Sequence, residues 1–204
     1  MSYAVLASLK SAVGISDTTD DTLLQLALDA ATDTIDQHCN RTFTAAGSAT
    51  VRYFTADTAT RVEVDDIYTT TGLIVSSYNT TVPVAVPYVS GGYQLGPVNA
   101  AALGRPYTYL THTAGWSGTV GFPGAFSTVV GAIAVTAKWG FAAAVPTAVA
   151  QACLLQASRI FARRHSPYGI SGSPDMGGEL RLLSKVDPDV AVLLAPYRKM
   201  WGAR

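Results

Sequence analysis

The sequence predicts an α+β protein, with a small helical core of three to four helices from both chain ends and a β-rich insertion in the middle. Apolar residues recur at helical spacing near the two ends. Between them, short runs of Val, Thr, Tyr and Ile are punctuated by Gly and Pro, which is typical of strands and turns. We therefore divide the chain into N-terminal helices over residues 1–42, an insertion over 43–140, and C-terminal helices, a loop and a tail over 141–204.

Two helices are predicted before the insertion. The first covers residues 3–13, with Ser2 as its cap and Gly14 as its C-terminal stop. The second covers residues 20–39 and follows a stretch rich in capping side chains. Its apolar stripe recurs at helical spacing: Leu24, Leu28, Ala31 and Ile35.

The insertion is predicted to contain five strands: Thr50–Thr55, Arg61–Val64, Leu73–Ser77, Tyr107–Thr111 and Ala132–Lys138. The residues Asp65 and Asp66 are interpreted as the start of a turn after the second strand. Glu63 and Asp65 would share a face of that strand, so a bound cation is the alternative interpretation. The nearly uncharged segment 82–105 is predicted to be a long irregular crossover.

Helical periodicity returns at Val145, with Pro146 at the first helical position and Arg163 and Arg164 in the last turn. A loop rich in Gly, Pro and Ser follows over residues 166–178. The last helix is predicted to open at Asp187 and Pro188 and to stop at Pro196.

Composition excludes intrinsic disorder, because 49% of the residues are hydrophobic and only 14% are charged. The net charge is zero, but residues 1–66 carry ten acids and four bases, a balance of −6, while residues 141–204 carry eight bases and four acids, a balance of +4. Such a division suits head-to-tail contact between identical subunits. Chance combined with helix-end preferences is the alternative explanation.

Neither targeting nor redox chemistry is indicated. The first residues, Met-Ser-Tyr-Ala-Val-Leu, do not resemble a signal peptide, and no apolar run is long enough to span a membrane. We expect the protein to be made in the cytoplasm. Cys39 and Cys153 lie in apolar helical stretches and are expected to be small buried side chains.

The sequence contains no pattern that carries catalysis. The histidines His38, His112 and His165 lie far apart, and none has a partner at metal-ligand spacing. His165 and Ser166 form the nearest approach to a reactive pair, but no nucleophile-elbow or P-loop motif is present. We therefore expect no enzyme activity, no cofactor and no metal.

Several strings in one order resemble the head–tail connector proteins (adaptors, or head completion proteins) of siphophages, especially those of actinobacterial phages. They span nearly the whole chain: Leu9–Asp17, Arg52–Phe54, Val64–Ile67, Val135–Phe141, Gln151–Arg159, Arg163–Ile170 and Asp187–Lys199. The uncharged segment 82–105 departs from the family pattern.

This resemblance implies a structural protein of the virion neck, at the head–tail junction. Copies would form a twelvefold ring beneath the portal protein, extend the channel for packaged DNA without reading its sequence, and receive the stopper or tail-completion protein. The resemblance also implies that the C-terminal segment docks on the portal, which assigns that contact to Pro196, Tyr197, Arg198, Lys199, Met200 and Trp201. Alternatively, Tyr197 and Trp201 only close the core of the last helix.

A second predicted interface is the loop after the third helix, which is expected to contact a neighbouring subunit. It is assigned to Arg163, Arg164, Ser166, Pro167, Tyr168 and Gly169, because a long loop without regular structure is either functional or disordered. Two other functions stay open. One is a different neck or tail-end protein, such as a stopper or tail terminator. The other is a carbohydrate-binding module, suggested by the tyrosines and tryptophan of the insertion: Tyr88, Tyr93, Tyr107, Tyr109 and Trp116.

Overall fold

The computed structural model describes residues 2–78, 85–87, 92–113, 125–165 and 186–199. The chain folds into two compact units. One unit combines both chain ends, Met1–Phe43 and Val145–Arg204, and the other is the intervening stretch Thr44–Ala144. Helices lie at the ends of the chain and strands in its middle, so the α+β class predicted from the sequence is confirmed.

The first unit contains four α-helices in its described part: α1 (Leu6–Val13), α2 (Asp21–Cys39), α3 (Thr147–Ala162) and α4 (Pro188–Leu194). The helix α3 packs against the other three. Apolar side chains with no exposed surface fill the space between them: Leu9, Leu24, Leu28, Ile35, Val149, Cys153, Val190 and Leu194. None of the helices described is long and apolar enough to cross a membrane.

The helix ends agree with the predicted capping at some places and differ at others. Gly14 adopts φ 71° and donates its N–H to the carbonyls of Lys10 and Ser11, which confirms the C-terminal stop of α1. The prediction that Ser2 caps α1 is wrong, because its hydroxyl donates to the Ala4 carbonyl and the helix begins only at Leu6. Pro146 precedes α3 as its N-cap and does not occupy the first helical position.

The second unit is built on an antiparallel sheet of six strands: β1 (Thr50–Phe54), β2 (Arg61–Tyr78), β3 (Ala85–Pro87), β4 (Tyr93–Gly96), β5 (Tyr107–His112) and β6 (Ile133–Trp139). The strand order is β1-β6-β2-β5-β4, and β3 also pairs with β2. One face of the sheet buries Val62, Val64, Ile67, Val75, Leu110, Ile133, Val135 and Trp139 together with Phe126.

The turn predicted at Asp65 and Asp66 is wrong, because both residues lie inside the single long strand β2. The strand continues because it pairs with β5 on one side and with β6 on the other, and shifts in register absorb its irregular middle. The carbonyl of Asp66 accepts a hydrogen bond from the N–H of Gly140 at 2.8 Å, which further ties this part of β2 in place.

The prediction that residues 82–105 form an irregular crossover is also wrong for the part that is described. This part contains β3, β4 and a 3-10 turn at Ala101–Leu103. The strand β4 is stabilised by its pairing with β5, in which Leu95 lies opposite Leu110. Such partners are distant in sequence, and a segment rich in Gly and Pro carries little local signal for them.

Candidate interaction surface

The described C-terminal segment, residues 187–199, begins with a helix that hydrogen bonds and an ion pair hold at Asp187. The Asp187 carboxylate accepts from the N–H of Asp189 at 3.0 Å and so caps α4, as the sequence predicts. The same carboxylate lies 3.2 Å from Nη1 of Arg159, and the N–H of Asp187 donates to Oε1 of Gln156 at 3.3 Å. Both partners belong to α3, so α4 starts from a fixed point on the helical unit.

After α4 the chain passes through a 3-10 turn, Ala195–Tyr197, and reaches the end of α2. The N–H of Lys199 donates to the Cys39 carbonyl at 2.8 Å, and the Lys199 carbonyl accepts from Nδ2 of Asn40 at 3.5 Å. The Tyr197 ring packs against Phe43, with 5.8 Å between the ring centroids. This part of the predicted docking segment is therefore held against its own helical unit.

The residues assigned to the portal contact differ in exposure. Lys199 is buried and Tyr197 is half-buried, whereas Pro196 and Arg198 are exposed. Met200 and Trp201 lie outside the described residues. Within the described part, the exposed members of the segment are thus the ones that offer an accessible surface to another protein.

A hydrogen-bonded network includes Phe43, the residue against which Tyr197 packs. The Tyr3 hydroxyl donates to Oδ1 of Asp36 and accepts from the N–H of Phe43 at 2.9 Å. Burial and the bond to Asp36 raise the pKa of Tyr3. Burial also raises the pKa of the Asp36 carboxyl above its ordinary value, although the hydrogen bond from Tyr3 acts in the opposite direction.

Positive charge gathers near the end of α2. Burial, followed by the charge of Arg198, lowers the pKa of His38. Burial raises the pKa of the Cys39 thiol to about 11, against the lowering effects of Arg41 and Arg198. A cation near a helix C-terminus is favoured by the helix dipole, so this end of α2 suits a basic surface.

The two arginines of the second predicted interface lie in a 3-10 turn, Arg163–His165, at the end of α3. Nη1 of Arg164 lies 2.8 Å from Oδ2 of Asp20, and its guanidinium stacks on Phe161 at 3.8 Å from the ring centroid. Arg163 lines an open groove of about 590 Å³ between α2, α3 and α4, together with His38 and Gln156. The other predicted members, Ser166, Pro167, Tyr168 and Gly169, lie outside the described residues.

The carboxylates considered for a cation site are used in ion pairs of the sheet. Asp65 lies 2.6 Å from Nη1 of Arg52, and Glu63 lies 2.7 Å from Nη2 of Arg61. Within the described ranges, no group of three or more His, Cys, Asp or Glu side chains is placed to hold a metal ion. Both cysteines are buried free thiols, as the sequence predicts.

The aromatic residues of the insertion, where they are described, serve the sheet itself. Tyr93 and Tyr107 pack against its apolar core, and the Arg61 guanidinium lies over the Tyr109 ring at 3.8 Å from the centroid. Tyr88 and Trp116 lie outside the described residues.

The contacts that hold the C-terminal segment were missed at the sequence level. Phe43, Tyr3 and Asn40 supply them, and all three are distant from Tyr197 and Lys199 along the chain. One local signal was present, because Asn is a common residue at the left-handed position that ends a helix. Asn40 adopts φ 52° and ends α2 in this way.

Comparison with known proteins agrees with the resemblance predicted from the sequence. Residues 3–84 match the family model described as phage gp6-like head-tail connector protein. This part of the chain is similar to that family, so the resemblance predicted from the sequence is confirmed. No curated protein matches the chain significantly.

Two solved structures share the fold. A chain in the neck of an empty gene transfer agent (GTA) particle, computed with C6 symmetry, aligns with a TM-score of 0.59 and 17% identity over 99% of this chain and 93% of that one. A chain in the virion of a native GTA particle aligns with a TM-score of 0.59 and 19% identity over 98% and 93%. At these identities the likeness establishes a common fold along nearly the whole chain.

Proposed function

We propose that the protein is a structural head–tail adaptor in the neck of a tailed bacteriophage. The observation that carries the proposal is the match of residues 3–84 to the head–tail connector family. The fold shared with chains of a GTA neck and a GTA virion supports it over nearly the full length. In this role the protein joins the head to the stopper or tail-completion protein and lengthens the channel through which DNA passes.

The proposed assembly is a ring of identical copies beneath the portal protein, with the twelvefold symmetry that the family resemblance suggests. The opposite charges of the two chain ends support a ring, because head-to-tail contacts join two different surfaces of the same molecule. The proposed portal contact is the segment from Pro196 to Trp201. The contacts of Tyr197 with Phe43 and of Lys199 with Cys39 would present its described part, residues 196–199, in one fixed orientation, which lowers the entropy cost of docking.

The proposal is tested by co-sedimentation of the purified protein with the cognate portal ring. Two truncated variants accompany the intact chain. One ends after Ala195 and lacks the whole segment, and the other ends after Lys199 and keeps the anchoring contacts of Tyr197 and Lys199. We expect stoichiometric binding by the intact chain and loss of binding by the shorter variant. The longer variant shows how much of the contact the residues after Lys199 supply.

Circular dichroism of each variant separates loss of docking from loss of fold. A folded variant that fails to bind supports the docking role of the segment. Absence of binding by the intact, folded protein would contradict the adaptor role. Tail tubes would then be the next partner to test, because a stopper or tail terminator binds on that side.

A further inference from the structure

One exposed side of α2 is apolar at its start and acidic further along. Leu26, Asp29 and Asp33 form this acidic stripe, and their spacing of three and four residues puts them on one face of the helix. Leu26 is 65% exposed, and both aspartates are exposed. The Asp29 carboxylate accepts a hydrogen bond from Nε2 of Gln25 at 3.1 Å, and no described cation pairs with it or with Asp33.

Other acids near the start of α2 are already neutralised within the chain. Asp21 lies 2.6 Å from Nζ of Lys10, and Asp20 is paired with Arg164 at 2.8 Å. The exposed acids of this helix, Asp29 and Asp33, therefore both lie on the acidic stripe, where an apolar side chain accompanies them. A surface of this composition is complementary to one that is apolar and basic.

The helical unit presents a surface of that composition at its C-terminal segment. Val192 is 73% exposed, and Pro196 and Arg198 are exposed beyond it. We call these three residues the C-terminal surface. Its backbone is fixed by the bond from the Lys199 N–H to the Cys39 carbonyl, and the charge of Arg198 adds to burial in lowering the pKa of His38. Arg198 forms no ion pair with Asp29 or Asp33 of its own chain within the described residues.

We propose that the acidic stripe of one copy binds the C-terminal surface of a second copy, with Arg198 facing Asp29 and Asp33 and Val192 covering Leu26. This inference rests on the proposed ring and gives the contact between its subunits. The two surfaces differ, so each copy can use one toward each neighbour, as closure into a ring requires. Within the segment proposed to contact the portal, Pro196 and Arg198 are then assigned to the neighbouring copy, and the rest of the segment is left for the portal.

The contact is tested by charge reversal and charge exchange. Sedimentation velocity at low ionic strength compares the wild type with Arg198→Glu, with Asp29→Arg/Asp33→Arg, and with the variant that carries all three changes. Low salt is chosen because screening weakens contacts between exposed charges. We expect the wild type to self-associate and each reversal to raise the concentration for half-assembly by about tenfold or more. The triple variant, in which the charges are exchanged, is expected to recover assembly.

Asp17→Arg is the matched control, because it reverses an exposed acid of the same unit outside the acidic stripe. We expect it to assemble like the wild type. A wild type that stays monomeric at low salt would overturn the proposed contact, as would failure of the triple variant to recover assembly. Equal weakening by Asp17→Arg would show a general effect of net charge and would also overturn it.

Portal co-sedimentation of the same variants keeps this inference separate from the adaptor role. If charge exchange fails to restore self-association while the intact chain still binds the portal, the subunit contact is wrong and the adaptor role stands. If the wild type self-associates through these residues and does not bind the portal, the contact stands and the adaptor role fails.

Discussion

The ring of Tyr197 meets the ring of Phe43 edge-on, with 5.8 Å between the centroids and 76° between the planes. Phe43 meets Tyr3 in a similar arrangement, at 5.6 Å and 87°. Phe43 has no exposed surface, so it joins the two ends of the chain from within the helical core. Aromatic pairs with this geometry stabilise a fold by about 0.5–1.5 kcal/mol beyond their burial.

The change Tyr197→Ala should therefore lower the free energy of unfolding by about 1–3 kcal/mol, through lost burial and the lost contact with Phe43. Urea denaturation followed by circular dichroism measures the change. Val192→Ala is the control, because Val192 is exposed and lies in the preceding helix; it should stay within about 0.5 kcal/mol of the wild type. Equal stability of Tyr197→Ala and the wild type would show that the segment is not anchored through this ring.

Gly140, directly after β6, should tolerate no side chain. Its φ of 132° is unfavourable for other residues, and an added Cβ would lie 2.5 Å from the carbonyl oxygen of Thr44. We expect Gly140→Ala to cost about 2 kcal/mol or more in the free energy of unfolding. Gly47→Ala is the matched control, because nothing lies within 4 Å of its added Cβ. A thermal melt in which both variants behave alike would contradict the constraint at Gly140.

The parts of the fold that were predictable depend on local patterns. The spacing of Leu24, Leu28 and Ile35 predicts α2, and its prediction needs no distant partner. The strand β4 depends on Leu95 lying opposite Leu110, and nothing in the short run Tyr93–Gly96 encodes that pairing. Tertiary pairing thus decided where a segment rich in Gly and Pro became a strand.

The interaction surface likewise combines features that local sequence predicts with features that depend on distant contacts. The Asp187 cap and the end of α4 follow from sequence, and the choice of Pro196–Trp201 as a docking segment came from the family resemblance. That Lys199 would be buried and Arg198 exposed depends on contacts with Cys39 and Asn40. Such contacts join residues far apart in the chain, and they appear only when the helices are packed.

The edge strand β1 provides a third prediction. Nε1 of Trp139 donates a hydrogen bond to the Thr50 carbonyl at 2.9 Å, so the indole satisfies one backbone acceptor of this strand. Trp139→Phe keeps an aromatic ring in the core but removes the donor, and should cost about 1–2 kcal/mol in the free energy of unfolding. Tyr53→Phe, which removes a polar atom from an exposed ring of β1, should change stability by less than about 0.5 kcal/mol. A smaller loss for Trp139→Phe than for Tyr53→Phe would exclude a stabilising role for this bond.

The last prediction concerns the pH dependence caused by Asp36. Burial raises the pKa of its carboxyl in the folded protein, with the hydrogen bond from Tyr3 opposing that effect. The folded state therefore holds the proton more tightly than the unfolded chain, whose carboxyl has a pKa of roughly 3.9. The stability contributed by this linkage is fully present below the unfolded value and is lost as pH rises through the folded value.

Asp36→Asn should remove the loss of stability that Asp36 causes at rising pH, because an amide stays neutral and its oxygen still accepts a hydrogen bond from the Tyr3 hydroxyl. We expect the stability of the variant relative to the wild type to increase as pH rises from the unfolded pKa through the folded pKa, and then to level off. Urea denaturation at a series of pH values measures it. Asp29→Asn, an exposed change on the same helix, is the control and should show a smaller dependence. A relative stability of Asp36→Asn that falls with rising pH would mean that the Tyr3 hydrogen bond outweighs burial at this carboxyl, since the folded pKa would then lie below the unfolded one.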